Sequence, residues 1–431
     1  MDKANLFQDF DPVSAKAWKQ KIQFDLKGAD YNNTLVWESP EGIKVKPFYH
    51  ADNKSVSLDN SKPSGWNIGQ TIYVSNAKNA NQKAKEFLDK GAESICFILP
   101  SEEMDTSNLL TGLADVPIYF EFQFLAVDVI KSLLRSVKNT TQQLFLNIDL
   151  IGNLGKTGNW YKNLKEDHKK LDAILHLNVE NTIAIDASHY QNAGANTVQQ
   201  LAYSLSHANE YLNHISDTTA ASIKFTFKIS VGTNYFFELA KLRALRTLWK
   251  TLASVYGNSQ DCHIIALPTK RNKTLYDYNT NMLRTTTEAM SAVLGGADVF
   301  FNMPYDGIYH KENDFGNRIA LNQLVLLKKE SYFDKIDNAA DGAYYIETLT
   351  QQLAEKALVL FKQIERGGGF LSQLKTHTIQ KKIMESAKKE QLRFEEKQEV
   401  LVGTNKYLNE ADLMKDSLEL YPFVKKNTRK T

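Results

Sequence analysis

The sequence predicts an α/β protein built as an eight-unit (β/α)8 barrel, with an extended N-terminal arm and C-terminal helices. Three observations predict it. Eight short β-rich runs recur between Gln70 and Asn302, and segments with apolar residues at i, i+3, i+4 and i+7 separate them. Short strands alternating with helices of ten or more residues indicate parallel pairing, because a parallel connection needs a crossover. The chain has 431 residues, enough for one barrel of about 250 residues with appended segments.

Residues 1–60 read as an irregular arm, since Pro40, Gly42, Pro47 and Pro63 punctuate short apolar pieces such as TLVW and IKVKPFY. Such an arm has no core of its own and must lie on another surface. Residues 61–343 hold the barrel. Its expected strands are Gln70 to Val74, Ser94 to Leu99, Ile118 to Phe122, Leu144 to Leu150, Thr182 to Asp186, Ile223 to Ile229, His263 to Leu267 and Asp298 to Asn302. Helical period is clear in Val198, Leu201, Ala202 and Leu205, and again in Phe237, Ala240, Leu245 and Leu248. Spacing alone also allows an open doubly wound sheet. Residues 344–431 hold a helix from Tyr344 to Gln363, a flexible Gly367-Gly368-Gly369, a charged helix with a solvated face, and a tail.

The 42% hydrophobic content suits a buried core, and 52 Lys plus Arg nearly cancel 50 Asp plus Glu. Basic residues are spread along the chain, so no field toward nucleic acid is implied, and small-molecule or protein partners fit better. Cys96 and Cys262 sit in strand-like runs, as buried thiols of a reducing compartment would. The N-terminus shows neither a signal peptide nor a transit sequence, and no run approaches the roughly 18 apolar residues that span a bilayer. A cytoplasmic protein is expected.

Several segments resemble the methylmalonyl-CoA mutase family. SPEGIKVKPFY, from Ser39, is similar to the family's T-P-E-G-I-x-V-K-P-L-Y, and IDASHYQNAGA, from Ile185, to I-S-G-Y-H-M-Q-E-A-G-A. GTNYFFELAKLRALRTLW, from Gly232, resembles N-F-F-x-E-I-A-K-L-R-A-A-R-x-L-W, and YNTNMLRTTTEAMSAVLGG, from Tyr278, resembles Y-N-N-x-x-R-T-T-I-E-A-M-A-A-x-L-G-G. IDNAADGAYYIETLT and VGTNKY match V-D-P-A-G-G-S-Y-Y-V-E-x-L-T and V-G-V-N-K-Y in the same order. The resemblance implies a TIM barrel and a role in interconverting methylmalonyl-CoA and succinyl-CoA, a radical rearrangement for which adenosylcobalamin supplies the radical.

Departures from the family pattern shape the functional expectation. Active members ligate cobalt through D-x-H-x-x-G in a separate cobalamin-binding domain, and no such domain is expected after Tyr407. Asp261-Cys262-His263 imitates that motif, but Ala266 replaces its Gly and His263 lies in an expected strand. The family's R-G-x-Y-x-T-M-Y is missing between arm and barrel, and R-T-H-C-Q-T-S-G is replaced by ALPTKRNKT, Ala266 to Thr274. Near His189, Ser188 replaces Tyr and Asn192 replaces Glu.

His189 is thus the one retained catalytic candidate, at the barrel mouth; its structural alternative is to cap the helix near Asn196 or pack on Tyr190. Gly295-Gly296 is expected to end a helix, and Gly152, Gly155 and Gly158 to form a mobile loop. The resemblance therefore implies a small, non-catalytic subunit that binds no cofactor itself and supports a large catalytic subunit carrying adenosylcobalamin, as a heterodimer. Trp37, Ile43, Val45, Phe48 and Tyr49 are its candidate partner contacts. The alternatives are an independent barrel acting on an acyl-CoA thioester through His189, and a catalytic half that joins a separate cobalamin-binding subunit.

Overall fold

The computed structural model describes residues 9–53, 65–137, 142–215, 222–411 and 418–420. Two short antiparallel strands, β1 (Trp37–Glu38) and β2 (Lys44–Val45), form a hairpin in the arm. Eight parallel strands then close into a barrel: β3 (Asn67–Tyr73), β4 (Ser94–Leu99), β5 (Ile118–Phe122), β6 (Leu144–Ile148), β7 (Asn181–Asp186), β8 (Thr226–Val231), β9 (His263–Pro268) and β10 (Val299–Phe301). The ring runs in chain order and β10 pairs back onto β3, which excludes the open sheet.

Strand alternation sorts side chains into two cores. Ile68, Ile72, Ile95, Phe97, Phe120, Leu146, Ile185, Phe227 and Ile264 join the helices in the main outer core. Cys96, Tyr119, Phe145, Ile265, Val299 and Phe301 form a separate cluster along the axis. Several boundaries differ from the sequence expectation by one to three residues, β3 starting at Asn67 rather than Gln70. β6 stops at Ile148 because Asp149 caps the helix Leu150–Thr157, accepting the Gly152 N–H. β8 starts at Thr226, three residues beyond the expected Ile223.

The helix Tyr344–Arg366 packs on Thr197–His214 and Tyr235–Val255, outside the barrel. The glycine run after it is a fixed corner rather than a flexible link. Gly368 and Gly369 take φ of 97° and 84°, and a Cβ at Gly369 would stand 2.8 Å from Glu210 Oε1. The Glu210 carboxylate itself accepts the Leu371 N–H at 2.8 Å.

The arm lies on its own barrel's helices. Glu41 accepts the N–H of Thr197, and the Trp37 ring meets Phe237 edge-on. Ile43, expected as a partner contact, is only 2% exposed and belongs to this chain's own core. Val45 packs partly against that core, Phe48 stacks on Trp18, and Tyr49 leans on Tyr345, while Trp37 remains 50% exposed.

At the N-terminal end of the strands, Arg246 ties the barrel seam. Its guanidinium donates to the carbonyls of Cys262 and Gly296 and to Asp298, which also accepts the Ile264 N–H. Removing one partner of a buried, hydrogen-bonded ion pair costs about 3–5 kcal/mol. Arg246→Met is accordingly expected to lower the unfolding free energy by about that amount in urea titration; a shift below about 1 kcal/mol would show that the seam closes without it.

Candidate functional site

The axis of the barrel is filled. The Tyr119 and Phe145 rings stack 4.2 Å apart, His263 lies 4.3 Å from Phe145, and the Tyr119 hydroxyl meets His263 Nε2 at 3.0 Å. Phe301 sets its ring edge-on against Tyr119, and a Cβ on Gly69 would stand 2.6 Å from the Phe301 ring. Only glycine leaves room there. His263 therefore faces into the barrel and is held by Tyr119, so the D-x-H imitation does not fit a cobalamin ligand. Among the described residues no group of three or more His, Cys, Asp or Glu is arranged to hold a metal ion. Both cysteines are buried and free, and burial pushes the Cys262 thiol up to about 11.

Above this plug a cavity of about 840 Å³ opens at the C-terminal ends of the strands, floored by Cys96, Ile265 and Phe301. Ligand sites of barrels lie at this end. A much smaller cavity, about 40 Å³, lies at the opposite end beside Arg246 and Gly295.

The mouth's walls are polar. Lys228 reaches Glu121 at 2.8 Å and Asp186 at 3.4 Å. Burial alone would depress the Lys228 ammonium, but these two carboxylates raise its pKa well above the usual lysine value. Asp186, which also accepts from the Ser188 backbone N–H, would be raised by burial but is held below the usual carboxylate range by Lys228 and His189. His189 Nε2 stands 3.2 Å from Asp186 Oδ2 and lines the cavity. Burial, opposed by Asp186, lowers its pKa, so the imidazole is neutral at pH near 7. His189 caps nothing: Asn196 and Gln199 form the capping box of the next helix.

Behind this wall Asp149 acts as a hub. Its Oδ1 accepts from the Gly152 N–H, from Tyr211 and from His207 Nε2 at 2.9 Å, and its Oδ2 accepts the Asp186 N–H. His207 Nδ1 lies 2.8 Å from the Tyr190 hydroxyl. The Gly152, Gly155 and Gly158 segment is thereby a helix, Leu150–Thr157, rather than the expected mobile loop, and Gly158 ends it with φ of 78°. Gly295 and Gly296 end the helix Thr280–Leu294, as expected. Lys156 on the first of these helices and Lys270 after β9 both line the mouth. Desolvation, then the charges of Lys156 and Lys228, depress the Lys270 ammonium.

Sequence reading found His189 but missed Asp149, Asp186, Lys228 and Tyr119. A signal for the first three existed. Asp149 and Asp186 stand at the C-terminal ends of strands, and Lys228 interrupts an apolar strand at an inward position. Tyr119 gives no local signal, because an inward and an outward aromatic read alike.

Together the closed parallel ring, filled axis and polar mouth cavity define a (β/α)8 barrel with its cavity at the C-terminal ends of the strands. A family model described as methylmalonyl-CoA mutase matches residues 146–430. The chain is 32% identical to the methylmalonyl-CoA mutase small subunit of Porphyromonas gingivalis, over 97% of this chain and 74% of that protein. It is 24% identical to the small subunit of Streptomyces virginiae, over 94% of this chain and 72% of that one. With the methylmalonyl-CoA mutase of Cereibacter sphaeroides it shares 28% identity over 91% of this chain and 64% of that protein. The chain belongs to the methylmalonyl-CoA mutase family. Among the described residues no helix is long and apolar enough to cross a membrane.

Asp149→Asn removes the charge toward which these donors are oriented, and is expected to cost about 2–3 kcal/mol at neutral pH. Burial opposes ionisation of Asp149, yet His207 and the N–H donors hold its carboxyl below the usual value. A depressed folded pKa means the stabilisation is fully present above the unfolded value of about 3.9 and is lost as pH falls through the folded one. The stability difference between wild type and Asp149→Asn, measured in urea, is expected to shrink between roughly pH 7 and roughly pH 3; a constant difference would contradict it.

Proposed function

We propose that this chain is the small, non-catalytic subunit of a cytoplasmic, adenosylcobalamin-dependent methylmalonyl-CoA mutase, paired as a heterodimer with a large subunit that binds the cofactor and carries out the isomerisation. The filled axis carries this reading. A pantetheine arm finds no passage where Tyr119, Phe145, His263 and Phe301 pack ring against ring.

Residues standing where active members carry substrate groups are committed to internal packing. Thr269 donates to Gln191, and Asn272 and Lys273 both donate to the buried Glu288. Asn192, in place of the family's Glu, donates to the Ser188 carbonyl and the Ser230 hydroxyl. These groups brace the mouth, and of that loop's polar side chains only Lys270 lines the cavity.

The arm supports the partner role. Its helix, Ala15–Asp25, buries no residue, and Phe24 and Trp18 are 79% and 44% exposed. Trp37 is exposed as well, while Tyr49 and Val45 hold the arm to the rest of the chain, Phe48 stacks on Trp18 within the arm, and Ile43 anchors it. Exposed aromatics of this kind carry much of the binding energy in interfaces.

A second reading, binding of an acyl thioester through His189, draws on the size of the mouth cavity and on the Asp186–His189 contact. Calorimetry with an acyl-CoA separates the two, since a blocked axis predicts no saturable thioester binding by this chain alone.

Co-expression with a large subunit and gel filtration test the main reading. The two chains are expected to co-elute with mutase activity, His189→Ala is expected to leave kcat unchanged, and Trp18→Ala with Phe24→Ala is expected to weaken association by about thirty-fold. Elution as a free chain, or cobalamin-dependent turnover by this chain alone, would refute it.

A further inference from the structure

The mutase reading leaves the barrel mouth without a task, although its cavity of about 840 Å³ falls in the size range of small-molecule sites, about 300–1,000 Å³. We propose that this mouth binds a small organic polyanion, carrying carboxylates or a phosphate, that is clamped between Lys156 and Lys270.

Charge pairing within the cavity points to an anion. Its four lining carboxylates are already engaged: Glu121 and Asp186 hold Lys228, Asp149 accepts His207, Tyr211 and two backbone N–H groups, and Glu312 pairs with Lys83. Lys156 and Lys270 line the same cavity, and neither has a carboxylate within ion-pair distance among the described residues. Their mutual repulsion and that of Lys228 act on Lys270 across the space between them. A ligand with several anionic oxygens relieves that repulsion and meets both ammoniums.

Topology fixes the span. Lys156 rides on the helix after β6 and Lys270 on the loop after β9, three strands further around the ring. The ligand thus bridges the opening, with anionic oxygens turned toward both sides. Neutral His189, beside Asp186, presents a hydrogen-bonding ring to the ligand's uncharged part. Depth is limited by the floor of Cys96, Ile265 and Phe301, so the ligand enters and leaves by the mouth and does not thread the axis.

This proposal stands apart from the mutase assignment, because it is read on the purified full-length chain without a partner or turnover. Calorimetry with citrate, glycerol 3-phosphate and uncharged glycerol tests it. Saturable binding of citrate or glycerol 3-phosphate is expected, the better of the two identifying carboxylate or phosphate as the preferred group, with no binding of glycerol. Lys156→Gln and Lys270→Gln are each expected to weaken that binding by about tenfold, the worth of one charge-assisted hydrogen bond. Both side chains are exposed and outside the packed core, so the variants keep the wild-type circular dichroism, and Lys388→Gln, an exposed lysine of the helix Thr378–Glu395 that does not line the cavity, is expected to bind like wild type. Absence of saturable binding by either anion overturns the proposal. So does binding that survives the double substitution, or that Lys388→Gln weakens equally.

Discussion

The structure depends on one interaction inside the barrel, the stack of Tyr119, Phe145 and His263 closed off by Phe301. A ring of eight strands leaves an interior just wide enough for side chains to fill. Here aromatic rings fill it, and Gly69 gives up its own side chain to admit one of them. The hydrogen bond pairs the Tyr119 hydroxyl with His263 Nε2, and His263 Nδ1 lies 3.9 Å from Asp298, so the plug buries little that is unpaired. Because these rings come from four strands, the plug also holds the closed ring in register.

Function follows from what the plug permits. A filled axis leaves a floored cup at the mouth, and the cup's rim is braced by ion pairs. Lys228 is locked between two carboxylates, and Lys273 and Glu288 form a buried pair behind the loop that follows β9. Burial raises the Glu288 carboxyl to about 7 despite Lys273, which marks a group paired for packing at some electrostatic cost. The proposal of a small, non-catalytic subunit rests on this filled axis together with family membership.

Much of the fold was legible because strand and helix periodicities are local. β4 and β5 fall where the sequence places them, and the helices of the KLRALRTLW and TVQQLAYSL segments bury the stripes their periodicity marks. Features set by tertiary contacts were not legible. Nothing in a Gly-Gly-Gly run says that Glu210, 161 residues before Leu371, will pin it. The IGNLGKTG segment reads as a loop until Asp149 is seen to cap it and to gather donors from β7 and from the helix Thr197–His214. The partner candidates were separated by packing in the same way, with Ile43 drawn into the core while Trp37 stays half exposed.

The account's central claim is that the axial rings are core and do not line a passage. Phe145→Ala measures this most directly. A core ring deleted to alanine costs about 3–5 kcal/mol, whereas a residue lining an open channel can be trimmed for less than about 1 kcal/mol. Urea unfolding is predicted to give the larger loss; the smaller one, with a folded variant of native midpoint, would contradict the account.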